Sequence, residues 1–172
     1  MESVEDWTSR LEVLYGSREA MPFHLVGVGN PIKKDDSVGL VIISRLRKIF
    51  GSKPSKLVRI YSPLAPELLF SKISFKSGSL IIFDAVEHNR APGSIIFANI
   101  ADTRFGFFAT HNVPLKLIPS LSGRMPNIFL VGIQPKDVDF GEGLSAVVLN
   151  SANKVVAEFE TIIKGRLLNA EC

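Results

Sequence analysis

Four short segments that consist almost entirely of apolar residues constrain the fold of this chain more than any other feature. In chain order they read FHLVGV, LVRIY, SLIIF and NIFLVGI. Strands without alternation between apolar and polar side chains are typical of parallel sheets that are covered on both faces. Stretches with helical periodicity lie between these segments. The sequence therefore predicts a three-layer α/β fold, in which helices pack on both faces of a twisted, mostly parallel sheet of about five strands.

The elements of this fold can be assigned from the periodicity. Strands are predicted at Phe23–Val28, Leu57–Tyr61, Ser79–Phe83, Gly93–Ile100 and Ile128–Ile133, with the fourth strand at an edge of the sheet. Helices are predicted at Val4–Tyr15, Ser37–Phe50, Pro66–Ile73, Val113–Leu121 and Ser145–Leu168. No repeat or linker divides the chain, so residues 1–172 are expected to form a single domain, with an extra N-terminal helix in residues 1–20.

Charge and hydropathy argue against several classes of protein. The 20 Lys and Arg residues exceed the 17 Asp and Glu residues by only three, without clustering, so nucleic-acid binding is not expected. The acidic, amphipathic N-terminus does not resemble a secretory signal, and no run reaches the roughly 18 apolar residues of a membrane span. The single cysteine, Cys172, is the last residue, so no disulfide framework is expected. These features predict a cytoplasmic protein, and a monomer is the expected state.

The segment GVGNPIKKDDSVG, residues 27–39, joins the first strand to the following helix and places Asp35 and Asp36 at the tip of the turn. A dinucleotide fingerprint would need a third glycine where Ile32 stands, and an acid after the strand Leu57–Tyr61. A phosphate loop would need Gly-Lys-Ser/Thr, and the two acids would repel a phosphate. The remaining interpretations are a cation or reactive-carboxylate site, and simple capping of the helix by the acids.

Two further polar residues are expected at the same edge of the sheet. Asp84 directly follows the strand Ser79–Phe83, and His111 precedes the helix Val113–Leu121. Because ligands bind outside the carboxyl ends of the strands in open parallel sheets, these residues are expected to converge with Asp36. Two carboxylates and one imidazole suit a divalent ion and leave coordination positions open. Taken alone, each of the three also has an ordinary interpretation as a turn or capping residue.

The other polar candidates carry weaker signals. His24 begins the first strand, at the opposite end of the sheet, and is interpreted as structural. His88 lies in the loop EHNRAPG and is interpreted as a solvated loop residue that could approach the site. Gln134 ends the FLVGIQ strand and either lines the cleft or caps the strand. No Gly-x-Ser-x-Gly elbow is present and the only cysteine is terminal, so no nucleophile for acyl-enzyme chemistry is evident.

The motifs GVGNPIKKDDSVG, IIFDAV, THNVPL and FLVGIQP, in this order and spacing, resemble those of the hydrogenase maturation endopeptidases. The resemblance covers roughly residues 23–156 and is to the branch that processes the large subunit of hydrogenase-3-type nickel–iron hydrogenases. It implies removal of a short C-terminal peptide from the large-subunit precursor after nickel has been inserted. It also implies that Asp36, Asp84 and His111 are the residues that contact the metal, and the family fold agrees with the α/β fold predicted above.

The resemblance further implies a peptidase, of aspartic or metal-assisted type, with Asp36, Asp84 and His111 as catalytic residues. The nickel is expected to be carried by the substrate, and another divalent metal could occupy the free enzyme. The water is activated either by a carboxylate, with Asp36 as the first candidate, or by a bound ion. Backbone amides of the turn 27–30 could hold the peptide or its oxyanion. The residues expected to bind the substrate are Gly29, Asn30, Asp35 and Gln134.

Two other classes of function are consistent with the same residues. One is a non-catalytic chaperone that binds the nickel-loaded precursor without cutting it. The other is a nucleotide-binding module built on the same strand, turn and helix. In the peptidase and chaperone interpretations, partner recognition is expected around residues 87–92 and 104–110, where Phe105, Phe107 and Phe108 could make apolar contacts.

Overall fold

The computed structural model describes residues 7–17, 20–51, 56–61, 77–100 and 127–170. Its α-helices are α1 (Trp7–Gly16), α2 (Val38–Phe50) and α3 (Ala146–Ala170), and a 3-10 helix, Lys34–Ser37, leads into α2. Its strands are β1 (Phe23–Gly27), β2 (Val58–Ile60), β3 (Ser79–Ala85), β4 (Ile95–Asn99) and β5 (Asn127–Ile133). The predicted helices Pro66–Ile73 and Val113–Leu121 lie outside the described residues. None of the helices in the described ranges is long and apolar enough to cross a membrane.

The five strands form one sheet in the order β2-β1-β3-β5-β4. β1 pairs in parallel with β2 and β3, and β3 pairs in parallel with β5, whereas β4 runs antiparallel to β5 at the edge. The register places Gly27 opposite Phe83 and Asp84 opposite Gly132, so β1, β3 and β5 end at the same edge of the sheet. The predicted α/β class, the mostly parallel sheet and the edge position of β4 are confirmed.

The described helices pack against one face of the sheet. Phe23, Leu25, Ile81 and Phe83 belong to the cluster on this face and are fully buried. The ring of Phe83 meets that of Phe159 in α3 edge-on, with 5.1 Å between the centroids. Burying a side chain of this size contributes about 1.5–3 kcal/mol, so the cluster holds β1 and β3 firmly beneath the carboxyl edge.

Alternate residues of the same strands form a second buried cluster on the opposite face. Its members are Val26, Val28, Leu80, Ile82 and Ile128. Successive side chains of a strand point to opposite faces, so a strand that is buried on both sides has few positions for a polar residue. The two clusters therefore explain why the strand segments of this chain contain almost only apolar residues.

The start of α2 lies directly against the ends of β1 and β3, because glycines stand at the contact. A Cβ atom on Gly39 would lie 2.1 Å from the carbonyl oxygen of Phe83 and 2.3 Å from that of Val28. A Cβ atom on Gly27 would lie 2.2 Å from the carbonyl oxygen of Gly39. No larger residue fits at these distances, so the glycines allow the acidic turn to approach the end of β3.

Two boundaries that matter for the site differ from the prediction. β3 continues to Ala85, two residues beyond the predicted strand Ser79–Phe83, so Asp84 is itself a strand residue. The reason is that β5 runs beside β3 and pairs with it to its end, which the β3 segment alone does not show. The predicted helix Ser37–Phe50 is preceded by the 3-10 turn Lys34–Ser37, which contains both acids of the motif.

Candidate active site

A tight turn after β1 brings Asp36 to the carboxyl edge of the sheet. The N–H of Asn30 donates to Asp36 Oδ2 at 3.0 Å, and the N–H of Asp36 donates to the carbonyl oxygen of Lys33 at 2.8 Å. Gly29 has a φ of +143°, and a Cβ atom there would lie 1.9 Å from the carbonyl oxygen of Asp36. Only glycine fits at the base of this turn, so Gly29 has a conformational role, and its contact with a substrate stays a prediction.

Asp36 and Asp84 are buried carboxyl groups on neighbouring elements at this edge. Only 1% of Asp36 and 4% of Asp84 is exposed. Asp84 Oδ1 accepts a hydrogen bond from the N–H of Ala85 at 2.8 Å. Burial raises the pKa of Asp84 to about 8; the Ala85 hydrogen bond opposes this rise, and the charge of Asp36 adds to it. The structure thus brings two of the three predicted metal contacts within electrostatic range of each other, and Asp84 is mostly protonated at neutral pH.

The third predicted contact, His111, lies outside the described residues. Within the ranges that the structure describes, no group of three or more His, Cys, Asp or Glu side chains is arranged to hold a metal ion. The convergence of an imidazole with the two carboxyl groups therefore stays a prediction.

The carboxylate of Asp35 is satisfied by the chain itself. Its Oδ2 accepts hydrogen bonds from the N–H groups of Lys136 and Asp137, each at 2.9 Å, and from Ser145 Oγ at 2.9 Å. Its Oδ1 accepts the N–H of Ser145 at 2.6 Å, and the residue is fully buried. A carboxylate has about four acceptor positions, so none is left for a ligand. The prediction that Asp35 binds the substrate is corrected: it ties the acidic turn to the loop 135–145 and to the start of α3.

The loop 135–145, which the sequence did not mark as part of the site, makes further contacts with the acidic turn. The N–H of Lys34 donates to the carbonyl oxygen of Gly141 at 3.1 Å, and the N–H of Gly141 donates to that of Ile32 at 3.0 Å. Lys34 Nζ also pairs with Asp137 Oδ2 at 2.5 Å. The only local signal for this role is the acidic string DVDFGEG, which by itself is typical of a solvated loop.

Asn30 also uses several of its polar groups within the turn. Its Oδ1 accepts the N–H of Ile32 at 3.1 Å, and its carbonyl oxygen accepts the N–H of Lys33 at 3.1 Å. The N–H of Val28 donates to the carbonyl oxygen of Phe83 at 2.8 Å. The expectation that the amides of the turn 27–30 form an oxyanion hole is corrected for Val28 and Asn30, because both already donate to other groups.

A hydrogen bond joins the side chain of Gln134 to the backbone of His88 beside the end of β5. Gln134 is buried, and its Oε1 accepts the N–H of His88 at 2.8 Å. Its carbonyl oxygen accepts the N–H of Gly93 at 2.8 Å, and its N–H donates to the carbonyl oxygen of Ser94 at 2.9 Å. The half-buried ring of His88 lies 3.4 Å from the carbonyl oxygen of Ser94. Burial lowers the pKa of His88, the Ser94 contact opposes this, and Arg90 adds to it. The interpretation of His88 as a solvated loop residue is corrected, because its ring is half-buried. The side-chain oxygen of Gln134 is occupied by the hydrogen bond from the N–H of His88.

His24 lies near the opposite end of β1 and is structural, in agreement with the sequence interpretation. The residue is buried, with Nδ1 2.7 Å from Tyr61 Oη and Nε2 3.2 Å from the carbonyl oxygen of Ser77. Burial lowers the pKa of His24, the Ser77 contact raises it and Arg59 lowers it. His24 therefore contributes no group to the carboxyl edge.

The raised pKa of Asp84 predicts that the metal-free protein loses stability as the pH rises. The pKa changes from its ordinary value of 3.8 to about 8 on folding, so between these values the unfolded chain has released a proton that the folded protein keeps. Unfolding then releases a proton, and its free energy falls from about pH 4 to about pH 8. Asp84→Asn removes this dependence, and we expect it to stabilise the protein by about 3 kcal/mol at pH 8.

Urea unfolding of wild-type and Asp84→Asn protein at pH 5 and pH 8 measures this effect. Asp139→Asn, in an exposed position, is the control and should keep the wild-type pH dependence. Equal pH dependence in wild-type and Asp84→Asn protein would show that Asp84 is ionised in the folded state.

The fold and the site define an α/β protein with a buried carboxyl pair at the carboxyl edge of a parallel sheet. A family model described as hydrogenase maturation protease matches residues 63–162, more than half of the chain. The matched range contains Asp84 and His111 and begins after the acidic turn. The chain belongs to the hydrogenase maturation protease family, a family of peptidases, and the resemblance drawn from its motifs is confirmed.

Individual relatives agree with this assignment. A Methanocaldococcus jannaschii protein, provisionally named a hydrogenase maturation protease, is 27% identical over 148 residues, which are 81% of this chain and 87% of that protein. The NiFe hydrogenase maturation protease HycI from Thermococcus kodakarensis has a TM-score of 0.75 at 24% identity, covering 90% of this chain and 99% of that chain. The endopeptidase HybD from E. coli gives 0.65 at 24% identity, covering 81% and 90%. These two structures show that the fold is shared.

Proposed function

We propose that this chain removes the C-terminal peptide from the large-subunit precursor of a nickel–iron hydrogenase after nickel has been inserted. The observation that carries the proposal is the buried carboxyl pair of Asp36 and Asp84 at the carboxyl edge of the sheet. Membership of the hydrogenase maturation protease family supports a peptidase and favours it over the chaperone and the nucleotide-binding module.

The carboxyl pair suits recognition of a nickel ion that the precursor carries. Together with His111 it offers two oxygen ligands and one nitrogen ligand, a set that suits a borderline divalent ion. Asp84 holds a proton in the metal-free protein, so binding to a cation displaces that proton. A second negative charge in this buried site is costly unless a cation balances it, which favours the loaded precursor over the unloaded one.

Hydrolysis needs a base for the attacking water and a proton for the leaving amine. We assign the base to Asp36, whose Oδ2 is held by the N–H of Asn30 at 3.0 Å. In an aspartic-type reaction the protonated Asp84 beside it supplies the proton. In the metal-assisted alternative, Asp84 would release its proton and hold the ion together with Asp36 and His111, and the ion would supply polarisation of the scissile carbonyl. Both routes place the chemistry at the same two carboxyl groups, and the remaining polar groups of Asn30 and Gln134 are proposed to contact the peptide.

The test is mass spectrometry of large-subunit precursor after incubation with this protein, with nickel-loaded and nickel-free precursor compared. We expect loss of a short C-terminal peptide from the loaded precursor and an intact nickel-free precursor. Cleavage of both forms at the same rate would contradict recognition of nickel. Tight binding of the loaded precursor without any cleavage would assign the chain to the chaperone class.

A further inference from the structure

We propose that a small apolar patch beside the acidic turn, formed by Ile32, Val138 and Phe140, docks an apolar surface on the folded body of the substrate protein. This inference rests on the proposed function and adds to it the surface that holds the precursor in place. The patch lies outside the carboxyl pair and differs from the surfaces that the sequence suggested, residues 87–92 and 104–110.

The patch concentrates exposed apolar side chains at one place. In the part of the chain that the structure describes, five large apolar side chains are exposed. Three of them, Phe140 (74% exposed), Ile32 (56%) and Val138 (37%), lie on two segments that pair with each other at Lys33 and Gly141, and they define the patch. Single exposed apolar residues are ordinary, but a group on facing segments is typical of an interaction site.

The backbone beneath the patch is held by hydrogen bonds on both of its segments. The N–H of Gly141, next to Phe140, donates to the carbonyl oxygen of Ile32 at 3.0 Å, and Gly141 accepts from Lys34 at 3.1 Å. Asp35 adds its four hydrogen bonds between the same two segments. The apolar side chains are therefore presented on an ordered support, which reduces the entropy lost on binding.

The patch is continuous with the candidate active site. The N–H of Ile32 donates to Asn30 Oδ1 at 3.1 Å, and the N–H of Asn30 donates to Asp36 Oδ2 at 3.0 Å. Two successive hydrogen bonds thus connect a residue of the patch to the proposed catalytic base. A peptidase must bind a polypeptide at its active site, so the segment that carries Ile32 adjoins the region that the substrate must occupy.

The size and charge of the patch indicate the kind of partner. Three side chains are far fewer than the roughly 20–30 residues on each side of a stable interface, so the patch alone does not suit dimer formation by this chain. The patch adds to the contacts at the active site, and it increases affinity because the aromatic ring of Phe140 becomes buried on binding. The ammonium of Lys33 lies 5.4 Å from the centre of the Phe140 ring. Asp139, which is exposed between Val138 and Phe140, adds the opposite charge to the rim of the patch. The surface that fits is therefore apolar, with residues of both charges at its rim.

The experiment measures binding and cleavage of nickel-loaded large-subunit precursor by wild-type protein and three variants. Phe140→Asp and Ile32→Asp place a charge in the patch at exposed positions, so both variants are expected to fold. Val13→Asp is the matched control, because Val13 is 79% exposed on α1 and lies outside the patch. We expect Phe140→Asp and Ile32→Asp to raise Kd and KM about tenfold with kcat within about twofold, and Val13→Asp to change neither constant.

The outcomes separate this inference from the proposed function. If wild-type protein cleaves the precursor and all three variants match it, the docking surface is overturned and the proposed function stands. If wild-type protein neither binds nor cleaves the precursor, both are overturned. If Phe140→Asp abolishes a concentration-dependent self-association while precursor binding is unchanged, the patch contacts a second copy of this chain, which also overturns the inference.

Discussion

Asp36→Asn is expected to lower the rate of precursor cleavage by about a thousandfold or more, while Kd for the nickel-loaded precursor rises by at most about tenfold, because Asp36 is one of three proposed nickel contacts. Asn has nearly the shape of Asp and can still accept the Asn30 N–H that holds Asp36 Oδ2 at 3.0 Å. It cannot accept a proton from water, so the variant removes the base and leaves the turn in place. Removing a general base from a peptidase typically has an effect of this size.

Single-turnover cleavage followed by mass spectrometry measures the rate, and surface-immobilised precursor measures Kd. Glu12→Gln is the matched control: it makes the same chemical change at an exposed position on α1, outside the site and the patch, and should cleave at the wild-type rate. Wild-type cleavage by Asp36→Asn together with loss of cleavage by Asp84→Asn would transfer the role of base to Asp84. Wild-type cleavage by both variants would exclude the carboxyl pair from the reaction.

Asp35→Asn is expected to destabilise the protein by about 3 kcal/mol. The Asp35 carboxylate accepts three backbone N–H groups and one hydroxyl, all in a fully buried position. The amide of Asn has a single acceptor oxygen, so at least one buried N–H loses its partner and faces another donor. Leaving a buried donor unpaired costs about 1–3 kcal/mol, and the lost charge weakens the hydrogen bonds that remain.

Urea unfolding gives the change in the free energy of unfolding. Ser145→Ala is the graded comparison, because it removes only the hydroxyl hydrogen bond to Asp35 and should cost about 1 kcal/mol. A loss below about 1 kcal/mol for Asp35→Asn would show that the loop 135–145 is held mainly by other contacts. If the folded fraction of Asp35→Asn protein still cleaves the precursor at low temperature, Asp35 serves only to hold the acidic turn in place.

The fold class was predictable from the sequence because a strand that is buried on both faces has apolar residues at both sets of alternating positions. Phe23 and Leu25 on one face and Val26 and Val28 on the other are all apolar, so a segment of six residues reports that both faces are covered. The limits of the strands were less predictable. β3 extends to Ala85 because β5 pairs with it there, and that partner lies more than 40 residues away along the chain.

The sequence predicted which polar residues lie at the candidate site, but it did not predict which of them are free to act there and which hold the fold together. Asp36 and Asp84 follow strands, and the carboxyl ends of parallel strands lie at one edge, so their approach follows from the order of elements. The sequence placed Asp35 and Asp36 together at the tip of the turn and assigned Asp35 to substrate binding and Asp36 to the metal and the reaction. In the structure Asp35 binds Ser145, 110 residues away, whereas Asp36 lies beside Asp84. The solvated interpretation of His88 failed for the same reason, because Gln134 reaches it from another strand end.

By itself, the sequence determined the α/β class, the family and the acids at the carboxyl edge, because hydrophobic patterning and short motifs are properties of neighbouring residues. The tertiary structure decided which of the two adjacent acids is structural, why Asp84 keeps its proton near neutral pH, and where the exposed patch of Ile32, Val138 and Phe140 lies. These properties depend on burial and on hydrogen bonds between residues about 100 positions apart in the chain. Such contacts exist only after the chain has folded, so no local pattern reports them.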